Sequence, residues 1–172
     1  DAIIAVILSL VGILTYLAFR FKFYFALGAV AALFHDVLLT LGIFSLFYDL
    51  IPGLNLEIDL TIIAAFLTLI GYSINDTVIV FDRVRETMKI HKNAPLEELM
   101  NEAVNKTMSR TILTGGTTLL TVVILLIFGG EVIRSFAFTL FFGIIVGTYS
   151  SIFVASAFVL EYVNKKKIDI DF

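Results

Sequence analysis

Apolar residues run along this chain in long unbroken blocks, and the charges are confined to the gaps between them. Five blocks, residues 2–19, 23–48, 60–81, 111–130 and 135–160, are membrane-length. A bilayer core about 30 Å thick takes about 20 helical residues at a rise of 1.5 Å each. The pattern therefore predicts an all-α fold, a polytopic helical membrane bundle with five spans. The short Arg20-Phe21-Lys22 turn makes the first two spans an antiparallel hairpin, and Pro52-Gly53 marks a turn in the loop after the second. Within the longest polar stretch, 83–106, Leu96, Leu99, Met100, Ala103 and Val104 fall at i, i+3, i+4, i+7 and i+8. Glu97, Glu98, Asn101 and Glu102 fill the other face. This predicts an amphipathic helix over about 95–106, capped by Asn93 and serving as a connector. Gly129-Gly130-Glu131 reads as a tight turn, and 161–172 as a polar tail.

Composition sharpens the picture. The chain has 172 residues, 59% of them hydrophobic, against about half in a soluble domain. With no cysteine, there is no disulfide framework, thiolate metal site or thiol nucleophile. The first block lacks a basic leader and a small-residue cleavage site, so it is not a signal peptide. It opens directly at Asp1, and a longer parent protein is expected. Placing the N-terminus outside puts Arg20, Lys22, Arg83, Arg85, Lys89, Lys92, Lys106, Arg110, Lys165, Lys166 and Lys167 inside and leaves Arg134 as the only outer cation. Asp1, Asp49, Glu57, Asp59 and Glu131 are then outer acids. Cytoplasmic loops collect Lys and Arg, so the tail is predicted to be cytoplasmic.

Four ionisable groups fall at membrane depth: His35, Asp36, Asp76 and, near the inner boundary, Arg110. Such residues are expensive in hydrocarbon and mark ion or proton paths. Asp76 lies seven residues before Arg83, roughly 10 Å below the inner surface, and Arg110 can reach it from the next span. Burial works against the carboxylate anion and a guanidinium works for it. Asp76 reads as a proton relay, with polar glue between helices as the alternative. Arg110 reads as its partner, with a boundary arginine extended toward the headgroups as the alternative. His35 and Asp36 form a packing network or take part in proton transfer, and Tyr72, Asn75 and Thr77 are neighbouring hydrogen-bond partners. Thr61, Ala65, Thr68, Tyr72 and Asp76 share a face predicted to point into the bundle. Thr107, Thr111, Thr114, Thr118 and Thr121 form a hydroxyl stripe beside Gly115 and Gly116, while Gly143, Gly147, Ser151 and Ala155 recur every four residues. Both patterns predict close helix packing.

Other chemistries find no support. There is no HExxH or phosphate-binding glycine loop, and the two histidines are far apart, so neither a metal nor a nucleotide cofactor is expected. Neither FHDV nor GYSIND carries the glycine that precedes the aspartate of an intramembrane aspartyl protease. Protons are the expected coupling ion, and no nucleic acid is expected as a partner.

Four blocks carry a family resemblance: FRFKFYFALGAVAALFHDVLLTLGIFSLF, GYSINDTVIVFDRVRE, SRTILTGGTTLL and GIIVGTYSSIFVASAF. Through them nearly the whole chain resembles the SecF side of the SecD/SecF family of protein-export membrane subunits, within the RND superfamily. The resemblance implies an RND-like transmembrane half in the bacterial cytoplasmic membrane. It also implies a non-enzymatic accessory of the Sec machinery that uses the proton-motive force. The implied partners are SecD, or the SecD half of a fused chain, the Sec translocon channel, the unfolded exported polypeptide and the lipid bilayer. In the family, the aspartate of the SIND block and the arginine of the SRT block are proton-pathway residues, and these fall on Asp76 and Arg110. The family pattern also places a further span and an extracytoplasmic domain upstream of Asp1. A proton-coupled small-molecule exporter half and a purely structural translocon subunit are the alternative functions.

Overall fold

The structure, a computed structural model, describes residues 2–48, 50, 54, 56–91 and 94–166, without the side chains of 2, 3, 5 and 6. Among these the regular elements are all helical: α1 (Ala2–Arg20), α2 (Phe23–Phe47), α3 (Leu60–Ile90), α4 (Leu96–Phe128), α5 (Gly130–Tyr149), a π turn (Ser150–Val154) and α6 (Ala155–Lys166). Four helices among the described residues are long and apolar enough to cross a membrane: α2, α3, α4 and the rod Gly130–Lys166 that runs through the π turn. A shorter apolar helix, Ile7–Arg20, lies within α1. The chain is the all-α membrane bundle that its apolar pattern predicts.

Helix ends and charge boundaries do not coincide. α3 runs past residue 81 to Ile90, and the amphipathic stretch 95–106 joins the span 111–130 in one helix of 33 residues. Nothing in Thr107-Met108-Ser109-Arg110 breaks a helix, and Leu99, Met100, Ala103, Thr107 and Thr111 keep one buried stripe running through the join. Charges mark where the bilayer stops, while the backbone continues. The 31 residues of α3 extend about 46 Å against a core of about 30 Å, so α3 and α4 project together from one end. Their connection is residues 91–95. Asn93, the predicted cap, lies outside the described residues, as do Pro52 and Gly53. On the projecting part, Lys106 Nζ donates to Glu102 at 2.5 Å. That hydrogen bond, with lesser contributions from the Lys106 and His91 charges, holds the Glu102 carboxyl below its ordinary range. The last rod starts at Gly130, ahead of the predicted 135, because Gly130 turns the chain at φ +73°, a conformation suited to glycine.

At the start of α3, Asp59 accepts a hydrogen bond from the Ile62 amide at 2.8 Å. Asp59→Ala is expected to destabilise the protein by about 0.5–2 kcal/mol, the usual worth of such a cap. Thermal unfolding of the detergent-purified full-length protein checks this, and an unchanged midpoint would show the cap to be dispensable.

α3 is central, packing on α5, α4 and α2, while α6 packs on α2. α1 lies against α2 and α3 and leaves Ile7, Leu8, Val11 and Leu14 exposed. Two aromatic layers close the bundle. Phe25 and Phe81 (ring centroids 4.9 Å apart) with Phe21 and Tyr24 fill the end from which α3 and α4 project. Phe44, Phe138 and Phe142 fill the opposite end, Phe138 and Phe142 being 4.9 Å apart. Buried between the layers are Asp36, Thr40, Ser73, Asp76, Thr77, Ser150 and Ser151.

Along α3, Ile62, Ala65, Leu69, Ser73, Asp76 and Val80 lie on a broad buried face that also takes in Ile70, Ile74, Thr77, Phe81, Val84, Thr87 and Met88. At 100° per residue the centre of that face is turned about 100° from the predicted polar face. Ala65 and Asp76 belong to both, Thr61 and Tyr72 are half-buried, and Thr68 is exposed. Leu69 packs against the bare backbone of Gly143 in this orientation; a Cβ on Gly143 would lie 2.7 Å from Leu69 Cδ1. The stripe through Gly143, Gly147, Ser151 and Ala155 is buried throughout and continues at the same spacing to Val159 and Val163. Positions four apart drift about 40° per step around an α-helix. The wider π turn takes up much of that drift and keeps all six positions inside. Gly116 departs from expectation: it is exposed, with open space where a Cβ would sit, and takes no part in packing among the described residues.

Candidate functional site

Asp76 is 2% exposed, near the middle of the 31-residue α3, and its Oδ2 makes no hydrogen bond among the described residues. Buried polar atoms are almost always paired, so an orphaned carboxylate oxygen at this depth is an exception to the packing around it. One turn earlier stands Tyr72, on the same side of α3. Across from it, Gly115 of α4 leaves room for α5: a Cβ there would lie 3.2 Å from Thr148 Oγ1 and 3.6 Å from the Tyr72 hydroxyl. The hydroxyls of Tyr72, Thr148 and Thr111 are likewise buried, and Thr148 and Thr118 stand close enough to interact with the Tyr72 hydroxyl. Three helices thus bring buried hydroxyl groups close to one buried carboxyl.

Arg110 lies on the side of this region from which α3 and α4 project. It is exposed and lines a cleft of about 220 Å³ with Ile79, Asp82, Arg83, Glu86, Lys106 and Thr107. The α3 wall of the cleft begins at Ile79, one turn beyond Asp76. The guanidinium acts on Asp76 electrostatically, yet the two form no ion pair among the described residues. Arg110 sits between buried Thr107 and buried Thr111, on the flank of the α4 stripe. The predicted pair is therefore near in space and unjoined. Elsewhere at the same end, Arg20 bridges to Asp82 at 2.7 Å and fastens α1 to α3.

Asp36 forms a second buried centre. It is 1% exposed on α2; its Oδ2 accepts from Ser73 Oγ at 2.5 Å, and its Oδ1 lies 3.2 Å from Nδ1 of half-buried His35. Thr40 Oγ donates to the Asp36 carbonyl at 2.7 Å. The remaining candidates separate clearly. Thr77 is buried, and its hydroxyl is engaged by the Ser73 carbonyl at 3.1 Å. Asn75 and Thr114 are exposed on the outer surface of the bundle.

Ser73, Thr148 and the π turn have no counterpart among the predicted site residues. Ser73 was legible in principle, since it precedes Asp76 by one turn within the SIND block. The unbroken four-residue spacing through residue 163 was the available sign of a widened turn.

Comparison with known proteins gives this geometry a context. Residues 1–165 match the family model for protein export membrane protein SecD/SecF, C-terminal. The chain is 61% identical over 160 residues to the protein translocase subunit SecF of Rhodothermus marinus, covering 93% of this chain and 52% of that protein. It is 46% identical over 167 residues to the protein translocase subunit SecDF of Thermus thermophilus, covering 97% and 22%. A crystal structure of SecDF from Thermus thermophilus, described as a translocon-associated membrane protein, superposes with a TM-score of 0.86 at 47% identity, over 95% of this chain and 22% of that one. SecDF in its super-membrane-facing form superposes with a TM-score of 0.82, over 92% and 21%. The chain spans about half the length of its SecF relative and about a fifth of SecDF. With a family match across nearly its whole length and a bundle that follows that of SecDF, this chain belongs to the SecD/SecF family of protein export membrane proteins.

Proposed function

We propose that the chain is the transmembrane part of a SecF-type subunit that, with SecD, couples the proton-motive force to polypeptide export through the Sec translocon. The observation that carries this reading is Asp76: a carboxyl enclosed at membrane depth, with an oxygen unpaired among the described residues and Arg110 within electrostatic reach. Protonation weakens the attraction between Asp76 and Arg110, and deprotonation restores it. Each charge crossing 100 mV supplies about 2.3 kcal/mol, enough to bias helix arrangements that differ by little. The unpaired geometry fits one of two such arrangements. In the full protein, the shift would act on the exported polypeptide through domains beyond this chain.

Orientation follows from charge. The ends of α1, α3 and α6 and the beginnings of α2 and α4 gather the basic residues, so that end faces the cytoplasm of the bacterial inner membrane and the N-terminus of the chain faces outward. The test uses the full-length protein with SecD and the translocon in inverted membrane vesicles. Stimulation of export by the protein is expected to disappear when an ionophore collapses the proton gradient while ATP is held constant. Undiminished stimulation under collapse would exclude proton coupling.

A further inference from the structure

We infer that Asp36 is a positioning residue that sets the rotation of α3, and with it the placement of Asp76, through Ser73; the inference rests on the proton-site reading of Asp76. The geometry is a three-helix junction. Ser73 precedes Asp76 by three residues and shares its buried face on α3, so whatever fixes Ser73 fixes where Asp76 points. Its hydroxyl donates to Asp36 Oδ2 of α2 at 2.5 Å. From α5, the backbone of Gly147 closes over both: a Cβ there would lie 3.3 Å from Ser73 Cβ and 3.6 Å from Asp36 Oδ2. A side chain at 147 would press on Ser73 by a few tenths of an ångström and come into ordinary contact with Asp36.

The two buried carboxyls differ in what surrounds them. Asp36 has a neighbour at each oxygen, Ser73 at Oδ2 and His35 Nδ1 at 3.2 Å from Oδ1, the latter a donor when that nitrogen carries the proton. Asp76 keeps one oxygen unpaired among the described residues. A buried acceptor satisfied across a helix interface holds a geometry, whereas an unsatisfied one is open to exchange. The titratable groups around Asp36 are His35 on its own helix and Asp76 one turn beyond Ser73 on α3. α5 contributes the backbone of Gly147, and the π turn, packed on α2, holds buried Ser150 and Ser151, whose hydroxyls donate to the Gly147 and Thr148 carbonyls of their own helix. Asp36 and Ser73 thus latch α2 to α3 directly beside the working acid.

The test compares Asp36→Asn, Asp36→Ala and Ser73→Ala in the full-length protein with SecD, at matched membrane levels and with Asp76→Asn as reference. Gradient-driven export is measured across pH. Asparagine still accepts from Ser73, so Asp36→Asn is expected to keep the wild-type pH midpoint and to export. Asp36→Ala and Ser73→Ala are expected to displace the midpoint by ~1 unit and lower export several-fold. Spin labels on cysteines replacing exposed Leu38 of α2 and Asn75 of α3, in a cysteine-free background, report the same latch without any activity. Their distance should be unchanged in Asp36→Asn and shifted or broadened in the two alanine variants. If Asp36→Asn is as inactive as Asp76→Asn, Asp36 carries protons itself and the positioning role is wrong. An unaltered distance and midpoint in Ser73→Ala would also overturn it. Full export by Asp76→Asn would instead overturn the proton-site reading, leaving the latch to be judged by the distances.

Discussion

Asp76→Asn is expected to abolish gradient-dependent export while leaving the protein inserted and assembled. Asparagine matches the carboxyl in volume and keeps a carbonyl acceptor, so the packing around position 76 has no steric reason to change. It cannot bind and release a proton. The side chain is 2% exposed, and a neutral amide is less expensive to bury in hydrocarbon than an anion, so folding should not suffer. All of the loss should therefore appear in the coupled step. The measurement is export by inverted vesicles with and without an imposed gradient, alongside the amount of protein in the membrane and its co-purification with SecD. The gradient-dependent increment should fall to background at normal membrane levels. Full export in this variant would remove Asp76 from the mechanism, and the orphaned oxygen would need another explanation.

Gly28→Leu is expected to be the most damaging change away from that acid. A Cβ at position 28 would sit 2.5 Å from Val159 Cγ2 and 3.1 Å from the Ala155 carbonyl oxygen. The first neighbour is a stiff β-branched side chain and the second is backbone, so neither can yield cheaply. Overpacking of this kind typically destabilises by about 1–3 kcal/mol. Here the leucine would also force α2 and α6 apart and loosen the aromatic layer around Phe25 and Phe81. Thermal unfolding and membrane yield should both fall. Gly28→Ala should show a milder form, partly rescued by Val159→Ala, which removes the nearest contact. A double-mutant cycle showing no coupling between 28 and 159 would mean that the two helices do not meet as described.

The sequence made the bundle legible because hydrocarbon imposes a simple rule. Long apolar blocks must be helices, and basic residues must collect at one end. The same rule hid the helix ends, since a helix can leave the bilayer without stopping, as α3 and α4 do. Asp76 and Arg110 were recognisable as ionisable residues at membrane depth. Their separation was not, because whether two long-reaching groups touch depends on the lateral rotation of each helix. For α3 that rotation sets Leu69 against Gly143, a contact between residues 74 positions apart that no local periodicity contains. The same offset places Asn75 outside and Ser73 inside, exchanging one expected partner for an unexpected one. Asp36 was visible as a buried acid, but its role depends on Ser73 and Gly147, which sequence spacing does not connect to it.

The π turn at Ser150–Val154 governs which way the end of the chain faces. Relaxing it to regular α-helix, with no residue removed, would twist the twelve residues of α6 by about 100°, one residue's worth of phase. Ala155, Val159 and Val163 would swing off α2, while Gly143 and Gly147 upstream stayed seated. Excising a single residue at the same place would keep the phase and only shorten the rod. The widened turn is thus a joint at which this membrane helix can exchange length for angle.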